Sequence, residues 1–534
     1  MGARREITLI AIGCALLCIA LAWASRTTLN PDGVSYLDIS ARFQAGDFAA
    51  ASQGYWSPLY PLILAAIRFV TRASPAVFLA QVHFLHAAIA MGVIALLWRL
   101  ALHHGDPIFA RGLFAAFLLA NGRAPRLDAV TPDLLLLGAV AGLGAELLLP
   151  GGRRWQRLGL WLGVIYLVKT STWPWLLAAA VTFFLLGGTE MRRTVTRATA
   201  LACAVMLLWI VPMSIKAGGP TLGSTGRLSA CWYLERCDSR TPDVHAGAHI
   251  RVGSLTLKDG ERVALADLSG TPWTYLPWSD PTAWEAGVLT RTRVPLDGPE
   301  LLRFWGQQAW FVLSLWTFHL LVAVMLPMGF LMWRRGTLRD GWRNQRPALL
   351  ALLVGLLGVL QFVAVHAEPR LIAPFVLLAA MGSLWWLCPP GGKLPAHRVA
   401  PWLVLVLSSL GLATAIPRGI MHVVELSGRS RDDIRRWQKL LAAADQSLPG
   451  GRSGLIGRNV VVIGPAIPIT AESWLFQAPI VAQIPPTSAD RIRGWSPDRQ
   501  RELLTLLGRG PGEIAWLTKL DGSFQIAPIP RGPP

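Results

Sequence analysis

The sequence predicts a polytopic α-helical membrane protein with a small α/β domain outside the bilayer. Three observations carry this reading. Of the 534 residues, 53% are hydrophobic and only 15% charged, against about 25% charged in an average soluble domain. Mean hydropathy is +0.44. The apolar residues gather in blocks of about 15–25, the length that crosses a hydrocarbon core of roughly 30 Å. Together these exclude a disordered chain and an ordinary soluble enzyme.

The opening Met1-Gly-Ala-Arg-Arg-Glu6 followed by the apolar stretch 7–24 is similar to a signal peptide, with Ala22-Trp-Ala24 as a tolerable cleavage site. The apolar run is long for an h-region, so the expectation is an uncleaved first span. Further spans are expected at 76–98, 108–121, 131–149, 157–168, 172–187, 198–215, 308–333, 347–365, 371–388 and 399–416, about eleven in all. The pair 157–168 and 172–187 is short and separated by a few polar residues. Were it one bent element, every later loop would change sides.

Charge placement tests that count. With the N-terminus inside, the cytoplasmic segments 1–8, 98–111, 150–158, 188–197, 333–346 and 389–398 hold 17 of the 50 Lys and Arg, against four acids, Glu6, Asp106, Glu190 and Asp340. The long outer loop 216–300 holds nine Lys/Arg and ten acids. This is the positive-inside pattern, and it places the C-terminus outside. The net charge of +19 is therefore mainly a topology signal plus contact with anionic membrane lipid, with no nucleic-acid partner.

Residues 1–417 thus form the membrane domain, with outer loops 26–75 and 216–300, and 418–534 form the outer α/β domain. The first loop carries two short amphipathic helices, 34–45 and 58–71, suited to the interface. The second, with Trp273, Trp278 and Trp284 among prolines, reads as an irregular cap. In the tail, 432–444 and 497–507 read as helices and 459–463 as a buried strand. Strands at 513–518 and 523–526 flank an Asp521-Gly522 turn signal. Cys14, Cys18, Cys203 and Cys388 lie in apolar blocks as small core residues. Cys231 and Cys237, in Cys-Trp-Tyr-Leu-Glu-Arg-Cys, are expected to form a disulfide outside the membrane; two free thiols are the alternative, and no His or further Cys at zinc spacing accompanies them.

Five polar clusters converge on the outer side under this topology. Leu29-Asn-Pro-Asp-Gly-Val-Ser-Tyr-Leu-Asp38 offers Asp32, Tyr36 and Asp38. A carboxylate there can take a proton from a hydroxyl or hold a cation, or Asp32 can simply cap the helix. Gly54-Tyr-Trp-Ser-Pro-Leu-Tyr-Pro61 adds Tyr55 and Trp56 at a rigid turn. Arg126-Leu-Asp-Ala-Val-Thr-Pro-Asp133 sets Arg126, Asp128 and Asp133 at the start of a span, where interface anchoring is the plainer use. Lys169 stands alone between two apolar blocks and suits phosphate neutralisation or snorkelling. His366-Ala-Glu-Pro-Arg-Leu-Ile-Ala-Pro374 offers His366, Glu368 and Arg370, whose guanidinium can fork onto two phosphate oxygens. Ionisable groups at membrane depth are functional candidates by default; His83 and His86 fit core packing. No Walker A loop, GxSxG elbow, HExxH or Rossmann fingerprint is present.

The order of these motifs resembles the GT-C superfamily of integral-membrane glycosyltransferases, most of all the bacterial branch of protein O-mannosyltransferases and lipid A aminoarabinose transferases. An aspartate follows span one, an Arg/Asp-bearing segment opens an early span, Gly163-Val-Ile-Tyr-Leu-Val-Lys169 comes next, and Glu368-Pro-Arg-Leu-Ile-Ala-Pro374 comes late. The resemblance covers residues 1–420. It implies a GT-C-like fold in a bacterial-type plasma (inner) membrane and a sugar donor linked to polyprenyl phosphate. It also implies a glycan, lipid or protein acceptor, Asp32 as catalytic base, and Lys169, Glu368 and Arg370 at the donor phosphate. Many members have two adjacent acids where this chain has Asp32-Gly33, and Leu371 takes a tyrosine position, so use of a divalent cation (Mg or Mn) is left open. Two rivals remain. A transporter or flippase calls for ionisable residues at the midplane. A non-catalytic scaffold with an outer binding domain calls for Asp32, Lys169 and Arg370 to lie much beyond roughly 15 Å apart.

Overall fold

The computed structural model describes residues 2–120, 125–149, 154–235, 251–268, 273–275, 279, 296–315, 345–388, 399–448, 458–463, 470–484, 491–492, 494–507, 514–518 and 524–528. The chain is mostly helical. Helix α1 (Gly2–Ala24) leads to three shorter helices, α2 (Pro31–Gln44), α3 (Phe48–Ala51) and α4 (Leu59–Thr71). Then come α5 (Pro75–His104), α6 (Pro107–Leu119), α7 (Asp133–Leu148), α8 (Arg154–Val168), a 3-10 turn at Thr170–Thr172, α9 (Trp173–Leu186) and α10 (Gly188–Ala217). Residues 157–168 and 172–187 thus fall on two helices, α8 and α9, joined by the 3-10 turn.

After α11 (Thr225–Leu234) follow strands β1 (Arg251–Thr256) and β2 (Arg262–Asp267), then α12 (Gly298–Ser314), α13 (Arg346–Val365) and α14 (Pro369–Leu387). Among the described residues five helices, α1, α5, α10, α13 and α14, are long and apolar enough to cross a membrane, and the chain is a multi-pass membrane protein. The expected span 308–333 runs past residue 315 into residues outside the described set.

Local sequence explains the helix starts. Asp106 accepts from the Ile108 N–H ahead of Pro107 at the first position of α6, the favoured pairing of an acceptor cap with proline. Small residues set the helix spacing. A side chain at Gly159 would come within 2.6 Å of the Ala198 carbonyl oxygen, so α8 lies directly on α10. One at Gly355 would meet the Ala379 backbone nitrogen at 2.5 Å, which draws α13 onto α14.

The C-terminal part of the chain departs from the expected division in two ways. Helix α15 (Val399–Ser447) runs unbroken through Pro417, so the boundary at 417 and the helix expected at 432–444 both fall inside one 49-residue element. The sheet also takes two strands from loop 216–300, where an irregular cap was expected. It joins β1 and β2 to β3 (Val460–Ile463), β4 (Ile480–Ile484), β5 (Ile514–Thr518) and β6 (Phe524–Pro528), in the order β1-β2-β4-β3-β5-β6. The centre, β4-β3-β5, is parallel, with helices α16 (Thr470–Leu475) and α17 (Pro497–Leu507) in the crossovers, and both flanks are antiparallel. Strand β3 reads Val-Val-Val-Ile and is buried throughout, as a central parallel strand requires. Strands β5 and β6 pair as a hairpin; the Asp521-Gly522 turn, Trp278 and Trp284 lie outside the described residues.

Candidate functional site

One end of the bundle gathers the C-terminal ends of α8 and α13, the N-terminal ends of α7, α9 and α14, and the helices α2 and α11. There they enclose a cavity of about 410 Å³. Asp32 reaches it from the first turn of α2. The cap of that helix is Asn30, whose side chain instead accepts from the Val130 N–H at 2.8 Å. The capping role open to Asp32 is thus taken by another residue, and its carboxylate is left for the cavity.

Arg370, in the first turn of α14, is the hub. Its Nη1 donates to Asp32 Oδ2 at 2.8 Å, its Nε donates to Glu368 Oε2 at 2.7 Å, and Asp133 Oδ2 lies 3.9 Å away. Lys169 Nζ donates to Asp133 Oδ1 at 2.6 Å, and Thr131 donates to Asp133 Oδ2 at 3.0 Å. Asp133 and Asp32 both sit in first turns, where a carboxylate is favoured by the helix dipole. A cation in the first turn of α14 has the opposite preference, and three carboxylates hold it there. Glu368 also faces His366 at 3.1 Å, and the ring of His366 stacks on Tyr233 at 4.1 Å between centroids. The hydrogen bond from His366, joined by the Arg370 charge, holds the Glu368 carboxyl down to about 2.

Tyr36, Tyr55 and Trp56 line the same cavity and pack edge to face, at 4.9 Å for Tyr36–Trp56 and 4.6 Å for Tyr55–Trp56. Burial, aided by Asp133 on Tyr36 and by Asp32 on Tyr55, keeps both phenols well above their usual range. They therefore serve as neutral hydrogen-bonding groups. Ser57 locks this turn onto the α8–α9 junction by accepting from the Thr170 N–H at 2.8 Å, directly beside Lys169. Thr225 of α11 donates to the Tyr55 carbonyl at 2.8 Å, and α11 lines the cavity with Thr225, Ser229 and Tyr233. Trp173, Phe362, Val365 and Leu371 give it an apolar side.

Three expected site residues lie elsewhere. Asp38 is six residues from Asp32, about 600° of helix or 240° around the axis, and so faces away. Its carboxylate accepts from the Thr274 N–H at 2.8 Å, the Thr274 hydroxyl at 2.7 Å and the Ser279 hydroxyl at 2.7 Å. Arg126 and Asp128 pair with each other at 3.1 Å and line a separate cleft of about 380 Å³ with Arg429, Arg436 and Trp437 of α15. The Thr131-Pro132 turn carries Asp133 inward while Asp128, before it, stays on the outer rim. Cys231 is disulfide-bonded, and Cys237 lies outside the described residues.

Sequence reasoning missed Gln361, Tyr233 and Ser57. Gln361 donates to the Ser171 carbonyl at 2.8 Å and accepts from the Trp175 N–H at 2.9 Å. It is the one uncharged polar side chain in α13, and that isolation was a usable signal. His83 and His86 are buried. His83 bridges the Leu127 and Thr28 carbonyls at 2.7 and 2.8 Å, tying together the segments that carry Asp133 and Asp32. Among the described residues no group of three or more His, Cys, Asp and Glu is arranged to hold a metal ion. The cavity acids turn their oxygens to Arg370 and Lys169 instead.

No family model matches the sequence, and no curated protein does. Solved structures do match. The chain has the fold of ArnT from Cupriavidus metallidurans. Against that protein bound to undecaprenyl phosphate, the TM-score is 0.56 at 12% identity over 99% of both chains. Against its apo state the TM-score is 0.52 at 11% identity, again over 99% of both.

Proposed function

We propose that this protein is a GT-C-type membrane glycosyltransferase that moves a sugar from a polyprenyl-phosphate donor to an acceptor outside the cytoplasm. The observation that carries the reading is the meeting of Asp32, Asp133, Lys169, Glu368 and Arg370 around one cavity, in a chain with the fold of ArnT. Structures of that protein include one bound to undecaprenyl phosphate. The scaffold reading called for a wide separation of these residues, and Arg370 lies 2.8 Å from Asp32. The transporter reading called for charge at the midplane, and this charge gathers at one end of the bundle.

The donor's lipid tail lies along the apolar side and its phosphate meets Arg370 and Lys169. Both cations are held by carboxylates, so the phosphate displaces Asp32 from Arg370. That exchange frees the Asp32 carboxylate as the donor arrives. The acceptor oxygen attacks the anomeric carbon, and the carbon–oxygen bond to phosphate breaks with its electron pair staying on phosphate. The acceptor proton passes to Asp32, and Arg370 and Lys169 stabilise the charge left on the leaving group. Attack opposite the phosphate inverts the anomeric centre.

The test is transfer of labelled sugar from a polyprenyl-phosphate donor by the purified protein and its Arg370→Ala variant, with and without EDTA. Transfer by the wild type, reduced about 100–1,000-fold in the variant, is expected. Folded wild-type protein that neither transfers nor hydrolyses any of a panel of such donors overturns the reading. The EDTA arm decides whether a divalent cation takes part.

A further inference from the structure

A second cleft, of about 290 Å³, opens on the face of α2 turned away from the cavity. Arg42 of α2 and Arg68 of α4 line it, Trp273 and Trp474 wall it, and Gln477 and Pro479 close it from the outer domain. Asp38 lines it too, but its oxygens already take three hydrogen bonds from Thr274 and Ser279. Among the described residues Arg68 has no hydrogen bond or ion pair. Its guanidinium sits over the Phe78 ring, 5.7 Å from the centroid. Burial lowers its pKa, Asp38 opposes that and Arg42 adds to it, so the two arginines lie within electrostatic range of each other.

The location specifies the ligand further. Helix α4 exposes Phe69 and Val70 at 64% and 79%. Such exposure on a short amphipathic helix suits the headgroup boundary of a bilayer. Two guanidiniums between indole walls at that depth match the fork geometry and charge of phosphate oxygens. We propose that the Arg42–Arg68 cleft binds the phosphate of a headgroup with net negative charge at the membrane surface. The site is distinct from the Arg370 cavity, and the inference does not rest on the transferase reading.

Phosphate can reach the cleft on a membrane lipid or free in solution, and native mass spectrometry of the full-length protein separates the two. In one arm phosphatidylglycerol is titrated, with phosphatidylcholine as the control. In the other, inorganic phosphate is titrated alone and as a competitor. The wild type is expected to retain phosphatidylglycerol selectively, and Arg42→Gln and Arg68→Gln each to weaken retention by about tenfold. Arg68→Lys should keep part of it, and Arg72→Gln, at the exposed end of α4, should leave it unchanged. Binding of inorganic phosphate with no selective lipid retention, lost in the same variants, keeps the anion site but overturns the lipid source. Equal lipid and phosphate binding by wild type and both Gln variants, all folded to the same thermal midpoint, overturns the site. So does retention of the two lipids without selectivity when inorganic phosphate does not bind.

Discussion

Helix α2 carries two aspartates six residues apart, both drawn from one polar motif, and the fold treats them in opposite ways. Asp32 faces a cavity and meets the Arg370 guanidinium, which under the proposed function a donor phosphate takes from it. Asp38 lines the second cleft, but its oxygens are held by three neutral donors from Thr274 and Ser279. Burial outweighs those hydrogen bonds and pushes its carboxyl up to about 6. The difference teaches that a carboxylate's use here is set by the mobility of its partner. An exchangeable cation leaves a base that can be uncovered, whereas fixed hydroxyl and amide donors make a structural tie.

The sharpest test of that contrast is Asn at each position. Asp32→Asn removes the proton acceptor while keeping size and polarity, and transfer should fall about 100–10,000-fold. Asp38→Asn leaves the cavity untouched, and its transfer should stay within about tenfold of wild type. A folded Asp32→Asn protein with full transfer would sink the base assignment, and a collapse of both variants would break the comparison.

Stability against pH separates a second pair. The Asp38 carboxyl lies at about 6 in the folded chain against a usual 3.8, so the folded state holds the proton more tightly. Its contribution is fully present below about 3.8 and is lost as pH rises through 6, on the order of 3 kcal/mol across the window. Glu368, held at about 2 against a usual 4.5, works the other way. Its contribution is present above 4.5 and fades as pH falls toward 2. Thermal unfolding should therefore shift upward from pH 7 to 5 and downward below about 4. Asp38→Asn should flatten the first limb and leave the second, and an unchanged slope between pH 7 and 5 would refute the assignment.

Much of this was legible in the sequence because its signals are local. Apolar block length marked the helices, and Asp32, Lys169, Glu368 and Arg370 stood out as charges beside apolar runs. What was not legible depends on contacts distant in sequence. Strands β1 and β2 carry an overlooked local signal, Leu255, Leu257, Val263 and Leu265 alternating around Asp259-Gly260, but their place in the sheet depends on β2 adding to the edge of β4, more than 200 residues away. Asp38 and Asp32 share a motif, and only the helical phase and the position of Thr274 separate them. Helix α15 continues past Pro417, packed along α6 and α1 and touching β6, contacts that no local signal reveals.

Arg126 and Arg370 supply the smallest and most discriminating effect. In sequence each is an arginine two residues from an acid at the start of a span. In the fold Arg370 is bound by three carboxylates inside a cavity, while Arg126 holds Asp128 at 3.1 Å with 42% of its side chain exposed. An exposed pair of this kind is worth about 0–1 kcal/mol, and neither residue is among those lining the cavity. Arg126→Ala should therefore leave sugar transfer within about fivefold of wild type, the limit of that energy scale, under the assay in which Arg370→Ala is disabled. A loss approaching that of Arg370→Ala would mean that the cleft beside α15 holds one of the reactants, and that the working site spans both sides of the Asn30–Val130 contact.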